Sequence, residues 1–294
     1  MHDAADLSTA HYASHAISAR DGLRLAVRDY RPSVPNGRPP VLCLAGLTRN
    51  AKDFHALACD LQDHGYRVLS PDSRGRGRSA RDSDWERYHP IQEANDVVAI
   101  TDALGLHHYA VIGTSRGGLL AMALTAIRPG QMTRVVLNDI GPVIEAAGLA
   151  RIKAYLGKAI TPRDWDDATR IVREAGSGTF PDRSEAEWRE VAEATFVEAG
   201  KGLEPDFDPK LLKTLESLDL SGPLPTLWPQ FMGLRRVPVL AIRGALSELL
   251  SAGTLKEMER RHPHCRTLTV PRVGHTPSLL EPGVNEAIRA FLDS

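Results

Sequence analysis

The sequence predicts an α/β fold, with a mainly parallel sheet covered by helices on both faces and one large helical insertion. Two observations carry this. Eight short β-rich runs alternate with longer stretches of helical periodicity, the pattern of strands joined by crossover helices. Between residues 141 and 235 the β-rich runs almost vanish while helical stripes continue, so that block reads as an excursion from the sheet. The core is therefore expected over 1–140 and 236–294, with a helical cap over 141–235.

The elements follow in order. Residues 12–19 and 23–31 read as two strands joined by a turn at Arg20-Asp21-Gly22, and this hairpin supplies the antiparallel part of the sheet. Pro40 to Leu44 form a buried-strand run that ends at Ala45-Gly46. Residues 51–64 read as helix, Tyr66 to Ser70 as strand, 90–104 as helix, and Tyr109 to Ile112 as strand. Residues 116–127 are apolar nearly all round, as in a buried central helix. Thr133 to Leu137 form the next strand. In the insertion, Ile152, Tyr155, Leu156 and Ala159 make one helical stripe, and Leu211, Leu212, Leu215 and Leu218 nearly make another. Strands return at Val237 to Ile242 and Thr267 to Val270. A final helix carries Val284, Ala287, Ile288, Phe291 and Leu292 on one face.

Composition excludes several function classes. The chain has 294 residues with 42% hydrophobic and 25% charged, which is globular and not disordered. With 36 Lys and Arg against 37 Asp and Glu, its net charge of −1 gives no overall field to hold nucleic acid or an anionic membrane. No apolar run approaches the ~18 residues that span a bilayer. The first residues, MHDAADLSTAHYASH, lack the basic and apolar regions of a signal peptide. The 3 cysteines, Cys43, Cys59 and Cys265, form neither a disulfide framework nor a zinc pattern. A cytoplasmic protein without metal or organic cofactor is expected.

Chemistry enters at Gly113-Thr114-Ser115-Arg116-Gly117, a G-x-S-x-G string. The string alone is weak. Its position between an apolar strand and a helix makes it a nucleophile elbow, which exposes a serine hydroxyl above the strand ends. Side chains at 113 or 117 would collide with the neighbouring helix and strand. A serine needs a base within hydrogen-bond reach, and 11 histidines compete for that part. His275, in Val273-Gly274-His275-Thr276-Pro277, follows the last strand, and the chain order Ser, acid, His fits it.

Asp72-Ser73-Arg74-Gly75-Arg76-Gly77-Arg78-Ser79, read with the elbow, resembles the α/β-hydrolase superfamily over about residues 22–140 and 237–294. The resemblance implies an α/β-hydrolase fold with an eight-stranded mostly parallel sheet and a helical cap. It implies a structural role for the 72–79 loop, with its arginines Arg74, Arg76, Arg78 and Arg81 in packing and solvated charge. It also places the base at His275. Gly244-Ala245-Leu246-Ser247-Glu248-Leu249-Leu250 resembles the family segment that carries the acid, with Glu248 where Asp is usual. Glu248 is thus the expected acid, and Asp139, after the strand 133–137, is the alternative. The oxyanion donors are expected to be the amides of Arg116, next to the nucleophile, and Leu47, in a loop where Ala45 replaces the usual His.

These residues imply a serine carboxylesterase acting on small to medium ester substrates. Enol-lactone or C–C bond hydrolysis by the same triad is the alternative, and a non-catalytic receptor or interaction module on this fold is the reading from another class. Phe180, Trp188, Phe196, Trp228, Phe231 and Met232 are pocket candidates, each set against simple cap packing. Arg49 is expected to be a surface residue, although with Arg116 it stands near the oxyanion loops.

Overall fold

The computed structural model describes residues 11–157, 161–200, 202–220, 222 and 224–294. The polar start of the chain before residue 11, with His2, lies outside them, as does Ala159 of the expected insertion stripe. In chain order come β1 (Ala13–Ser18), β2 (Arg24–Tyr30), β3 (Val41–Leu44), α1 (His55–Asp63), β4 (Val68–Pro71), α2 (Pro90–Ala103), β5 (Tyr109–Thr114), α3 (Arg116–Ile127) and β6 (Met132–Asn138). The insertion holds α4 (Ala146–Leu156), α5 (Trp165–Gly176), α6 (Glu185–Thr195), β7 (Phe196–Ala199), β8 (Gly202–Pro205), α7 (Lys213–Glu216) and α8 (Trp228–Met232). The chain then returns to β9 (Val239–Gly244), α9 (Ala252–Arg261), β10 (Cys265–Val270) and α10 (Val284–Asp293).

The eight-stranded sheet has the order β1-β2-β4-β3-β5-β6-β9-β10. Only β1 with β2 and β2 with β4 are antiparallel, so the first hairpin supplies the antiparallel edge. The central strands β3, β5 and β6 are almost wholly buried because helices cover both faces. One apolar cluster holds Leu42, Val111, Leu120, Leu137 and Phe231, and a second holds Val41, Ile112, Leu61, Ile288 and Phe291. The stripe on α10 buries Val284, Ile288, Phe291 and Leu292. The parallel strands point the same way, so the segments after β3, β5, β6, β9 and β10 gather along one edge of the sheet, where open α/β sheets place their ligands.

The insertion departs from its all-helical expectation. β7 and β8 pair antiparallel beside α6, with Gly200 at a φ of 58° in the connection. Strands this short leave too little periodicity to be read from the sequence. The insertion has its own core of Ala168, Val172, Trp188, Ala192, Phe196 and Leu203. It is stitched to the sheet through residues 206–208. The Gly77 amide donates to the Asp206 carbonyl at 3.0 Å, the Asp208 amide to the Gly75 carbonyl at 2.7 Å, and the Tyr88 hydroxyl to Asp208 Oδ2 at 2.6 Å. Among the described residues, no helix is long and apolar enough to cross a membrane.

Candidate active site

Ser115 occupies the turn between β5 and α3 at φ 49° and ψ −111°. The local packing explains the flanking glycines. A Cβ on Gly113 would lie 2.6 Å from the Gly117 backbone, and one on Gly117 only 2.0 Å from the Leu44 carbonyl oxygen on β3. The helix can approach the sheet this closely only where both positions lack side chains. The Ser115 amide donates to the Asn138 carbonyl at 2.9 Å, tying the elbow to the end of β6. The Asn138 side-chain amide donates to Thr114 Oγ1 at 3.1 Å and to the Pro277 carbonyl at 2.9 Å, which brings the His275 loop over the elbow.

His275 stands between two of the expected residues. Its Nε2 is 2.9 Å from Ser115 Oγ, and its Nδ1 is 2.7 Å from Asp139 Oδ2. An ionised carboxylate only accepts hydrogen bonds, so Nδ1 carries the proton and Nε2 is left to accept from the serine hydroxyl. Asp139 is completely buried and adopts a φ of 54° at the end of β6, which turns its carboxylate toward the His275 loop. The Gly244 amide donates to its Oδ1 at 2.9 Å, and the Ser247 hydroxyl donates to its Oδ2 at 2.6 Å.

The expected position of Glu248 is therefore corrected. Its side chain is 52% exposed, and its Oε2 accepts from Arg151 Nη1 at 2.7 Å, away from His275. Packing gives the reason. α4 crosses so closely that a Cβ on Gly148 would lie 2.4 Å from the Glu248 carbonyl oxygen. The loop runs with Leu249 and Leu250 buried beneath it, and Ser247, not Glu248, faces inward. Ser247 carries no separate signal in the sequence, although it is the residue of that segment that reaches the Asp139 carboxylate.

The Leu47 and Arg116 amides donate to no carbonyl among the described residues. Both adjoin Ser115, since Arg116 follows it and a Cβ on the neighbouring Gly46 would lie 4.0 Å from Ser115 Cβ. What braces them is a buried cluster. Arg76 Nε donates to the Leu47 carbonyl at 2.7 Å, and its Nη1 to Glu93 Oε1 at 2.6 Å. The other Glu93 oxygen accepts from Arg116 Nε at 2.8 Å. Burial pulls the Glu93 carboxyl up, but the charges of Arg76 and Arg116 outweigh it and hold it below the usual carboxylate range.

Two of the loop arginines are thus not solvated charge. Arg74 and Arg76 are 0% and 1% exposed. Arg74 pairs with Asp96 at 2.6 Å and Asp82 at 2.7 Å. Arg78 and Arg81 are exposed, as expected. The sequence signal for the buried acids lay on α2, where Glu93 and Asp96 share a helical face with Val97 and Ile100.

A cavity of about 620 Å³ opens between the insertion and the sheet edge and reaches His275. Phe180, Trp188 and Phe196 line it. Trp228, Phe231 and Met232 do not; they pack with the sheet core under α8. Arg49 is corrected as well. It lines the cavity, pairs with Asp53 at 2.6 Å and donates to Thr195 Oγ1 of the insertion.

Comparison with known proteins places the fold. A profile of the alpha/beta hydrolase fold matches residues 39–282. A 3-hydroxybutyrate-oligomer hydrolase of Cupriavidus necator is 33% identical over 250 residues, covering 82% of this chain and 84% of that protein. A 2-(acetamidomethylene)succinate hydrolase of Mesorhizobium japonicum is 26% identical over 296 residues, covering 100% of both chains. The crystal structure of an alpha/beta hydrolase from Novosphingobium aromaticivorans superposes with a TM-score of 0.90 at 38% identity, covering 97% of this chain and 99% of that one.

Proposed function

The chain belongs to the α/β-hydrolase family, and from that premise we propose that it is a serine hydrolase cleaving carboxylic esters of small to medium size through an acyl-enzyme. The Cupriavidus necator and Mesorhizobium japonicum relatives are both named as hydrolases, which supports the hydrolase class. The observation that carries the finer reading is the unbroken hydrogen-bond chain Ser115, His275, Asp139. In this reading Ser115 Oγ attacks the ester carbonyl as His275 Nε2 takes its proton. Asp139 stays ionised, holds the Nδ1–H tautomer and stabilises the imidazolium. The Leu47 and Arg116 amides receive the oxyanion. His275 then protonates the departing alcohol. Water, deprotonated by the same nitrogen, attacks the acyl-serine and releases the carboxylic acid and Ser115.

The insertion acts as a cap over this centre. The cavity of about 620 Å³ lies within the roughly 300–1,000 Å³ of small-molecule sites, which supports a substrate of limited size. Hydroxy acids oligomerise through ester bonds, so the name of the Cupriavidus necator relative fits the same reaction type. Cys43, Cys59 and Cys265 are free thiols, which supports a cytoplasmic setting. The test is turnover of p-nitrophenyl acetate and butyrate together with fluorophosphonate labelling. Parent protein should do both and Ser115→Ala neither. Turnover by Ser115→Ala above a few per cent of parent would place the nucleophile elsewhere.

A further inference from the structure

Four arginines on or beside α5 and α6 are matched with acids. Arg163 pairs with Asp167, Arg170 with Glu174, Arg173 with Glu185, and Arg189 with Glu193. Arg183 breaks the pattern. It lines the cavity, and among the described residues no carboxylate lies within 4.0 Å of it. Its guanidinium carbon is 4.2 Å from the Phe180 ring centroid and 4.7 Å from that of Trp188.

Three acids act on Arg183 from beyond ion-pair distance. Glu187 accepts from the Ser184 amide at 2.6 Å, Glu281 Oε1 accepts from the Ser278 amide at 2.7 Å while its buried Oε2 has no hydrogen-bond partner, and Glu190 adds a smaller effect. Of the acids lining the cavity, Glu248 is held by Arg151 and Glu204 makes no contact with Arg183. The segment carrying Arg183 leans on the His275 loop. A Cβ on Gly274 would lie 2.6 Å from Thr179 Cβ, and Asp182 forms a bidentate pair with Arg272.

A guanidinium does not give up its proton under any ordinary condition. Held between two aromatic faces it loses water, and burial together with the neighbouring Arg49 charge disfavours its charged form more than Glu187 and Glu281 restore it. Cation–π contact with the two rings recovers only part of that cost. A planar anion on the open side of the guanidinium would supply the missing counter-charge through two parallel hydrogen bonds. One guanidinium against aromatic walls, with Arg49 and Arg151 of the same cavity already paired with Asp53 and Glu248, matches a monoanion better than a phosphoryl dianion.

We propose that Arg183 recognises an ionised carboxylate carried by the substrate, so that the ester cleaved at Ser115 is that of a compound bearing a second, free carboxyl group. This rests on the serine-hydrolase reading, and the experiment separates the two. kcat/KM is compared for p-nitrophenyl hydrogen glutarate and p-nitrophenyl methyl glutarate, which place the anion on the acyl side. The acetyl ester of 4-hydroxybutyrate and its methyl ester do so on the alcohol side. The parent should prefer the anionic member of at least one pair by about tenfold or more, the scale of a charged hydrogen bond. Arg183→Gln should bring that ratio close to one, chiefly through KM. Arg183→Lys, which keeps the charge and loses the fork, should fall between, and Arg170→Gln should leave the ratio in place.

Preference for the neutral member in both pairs would overturn the proposal, as would a ratio that survives in Arg183→Gln. Calorimetric titration of glutarate into Ser115→Ala protein reads the anion site without turnover, and adding Arg183→Gln or Arg183→Lys should weaken it about tenfold or more. Equal binding in all of these, or tighter binding of methyl phosphate than of glutarate, would also overturn it. If the parent hydrolyses none of the four esters, the esterase reading fails while the titration still decides the role of Arg183.

Discussion

The Ser247 hydroxyl donates to the Asp139 carboxylate across 2.6 Å, in a place where both residues are buried. That contact joins the segment after β9 to the segment after β6, directly behind His275. A buried carboxylate needs several donors to stay ionised. Asp139 has three, from Ser247, the Gly244 amide and His275. The carboxylate is thereby fixed in angle, which is what an imidazole held to one tautomer requires.

Asp139→Asn should therefore lower kcat on p-nitrophenyl butyrate by about 10³–10⁴, the scale of the same change in another serine triad. Glu248→Gln should change it by less than about twofold, since that side chain makes one exposed ion pair. Circular dichroism should show both variants folded. The reverse ranking of the two rates would return the acid role to Glu248.

Ser247→Ala removes one donor from Asp139 and leaves the other two. A hydrogen bond to a charged group contributes about 1.5–3 kcal/mol. Some of that loss falls on stability and some on imidazole alignment. The expected result is a fall in kcat of about tenfold with little change in KM, together with a lowered Tm. A kcat equal to parent would show that Ser247 holds the loop and not the acid.

The buried Glu93 makes a pH prediction. Its carboxyl is held below its ordinary value of 4.5, after burial, by the charges of Arg76 and Arg116. A group depressed on folding adds stability above its unfolded pKa, and that stability is lost as pH falls through the folded pKa. Glu93→Gln leaves the fully buried Arg76 without its acid, a loss of about 3–5 kcal/mol at neutral pH. The Tm gap between parent and Glu93→Gln should be widest well above pH 4.5 and close steadily below it. Because Arg76 also holds the Leu47 carbonyl, kcat should fall too. A Tm gap constant from pH 3 to pH 8 would remove the ion pair from the account.

What was legible in the sequence was local. Ser115 declared itself because the strand, two glycines and helix that make its turn are consecutive, and His275 because it follows the last strand closely. The carboxylate that meets His275 Nδ1 was not legible, because the choice between Asp139 and Glu248 depends on contacts far apart in the chain. Gly148 presses on the Glu248 backbone from about a hundred residues away, and the left-handed conformation of Asp139 aims its carboxylate inward. Neither leaves a periodic trace. Arg74 and Arg76 looked like solvated charge because their partners Asp96 and Glu93 lie a helix away. The β7–β8 ribbon was hidden by its length.

Gly117→Ala tests the elbow through its packing instead of its hydroxyl. Gly117 is the second residue of α3, and alanine has the higher intrinsic helix propensity, worth about 0.8–1 kcal/mol in an isolated helix. Propensity alone would make this substitution stabilising. Sterics decide otherwise: the added carbon would lie 2.0 Å from the Leu44 carbonyl oxygen and 2.8 Å from Leu44 Cβ. Leu44 belongs to β3, which is hydrogen-bonded to both β4 and β5, so it cannot retreat without disturbing the centre of the sheet. α3 must move instead, and it carries the Arg116 amide and the Ser115 turn with it. Overpacking of a core costs about 1–3 kcal/mol and more where backbone is the obstacle, so the variant should lose stability despite the gain in propensity. Its kcat should fall by at least about a hundredfold, since displacement of about 1 Å at a reacting centre has that effect. The check is a denaturant melt alongside kcat on p-nitrophenyl butyrate, with Gly130→Ala, where no atom lies within 4 Å of the new carbon, as the control for strain at a glycine outside the elbow. A Gly117→Ala protein as stable and as active as the parent would contradict the close approach of α3 to β3 on which the geometry of Ser115 depends.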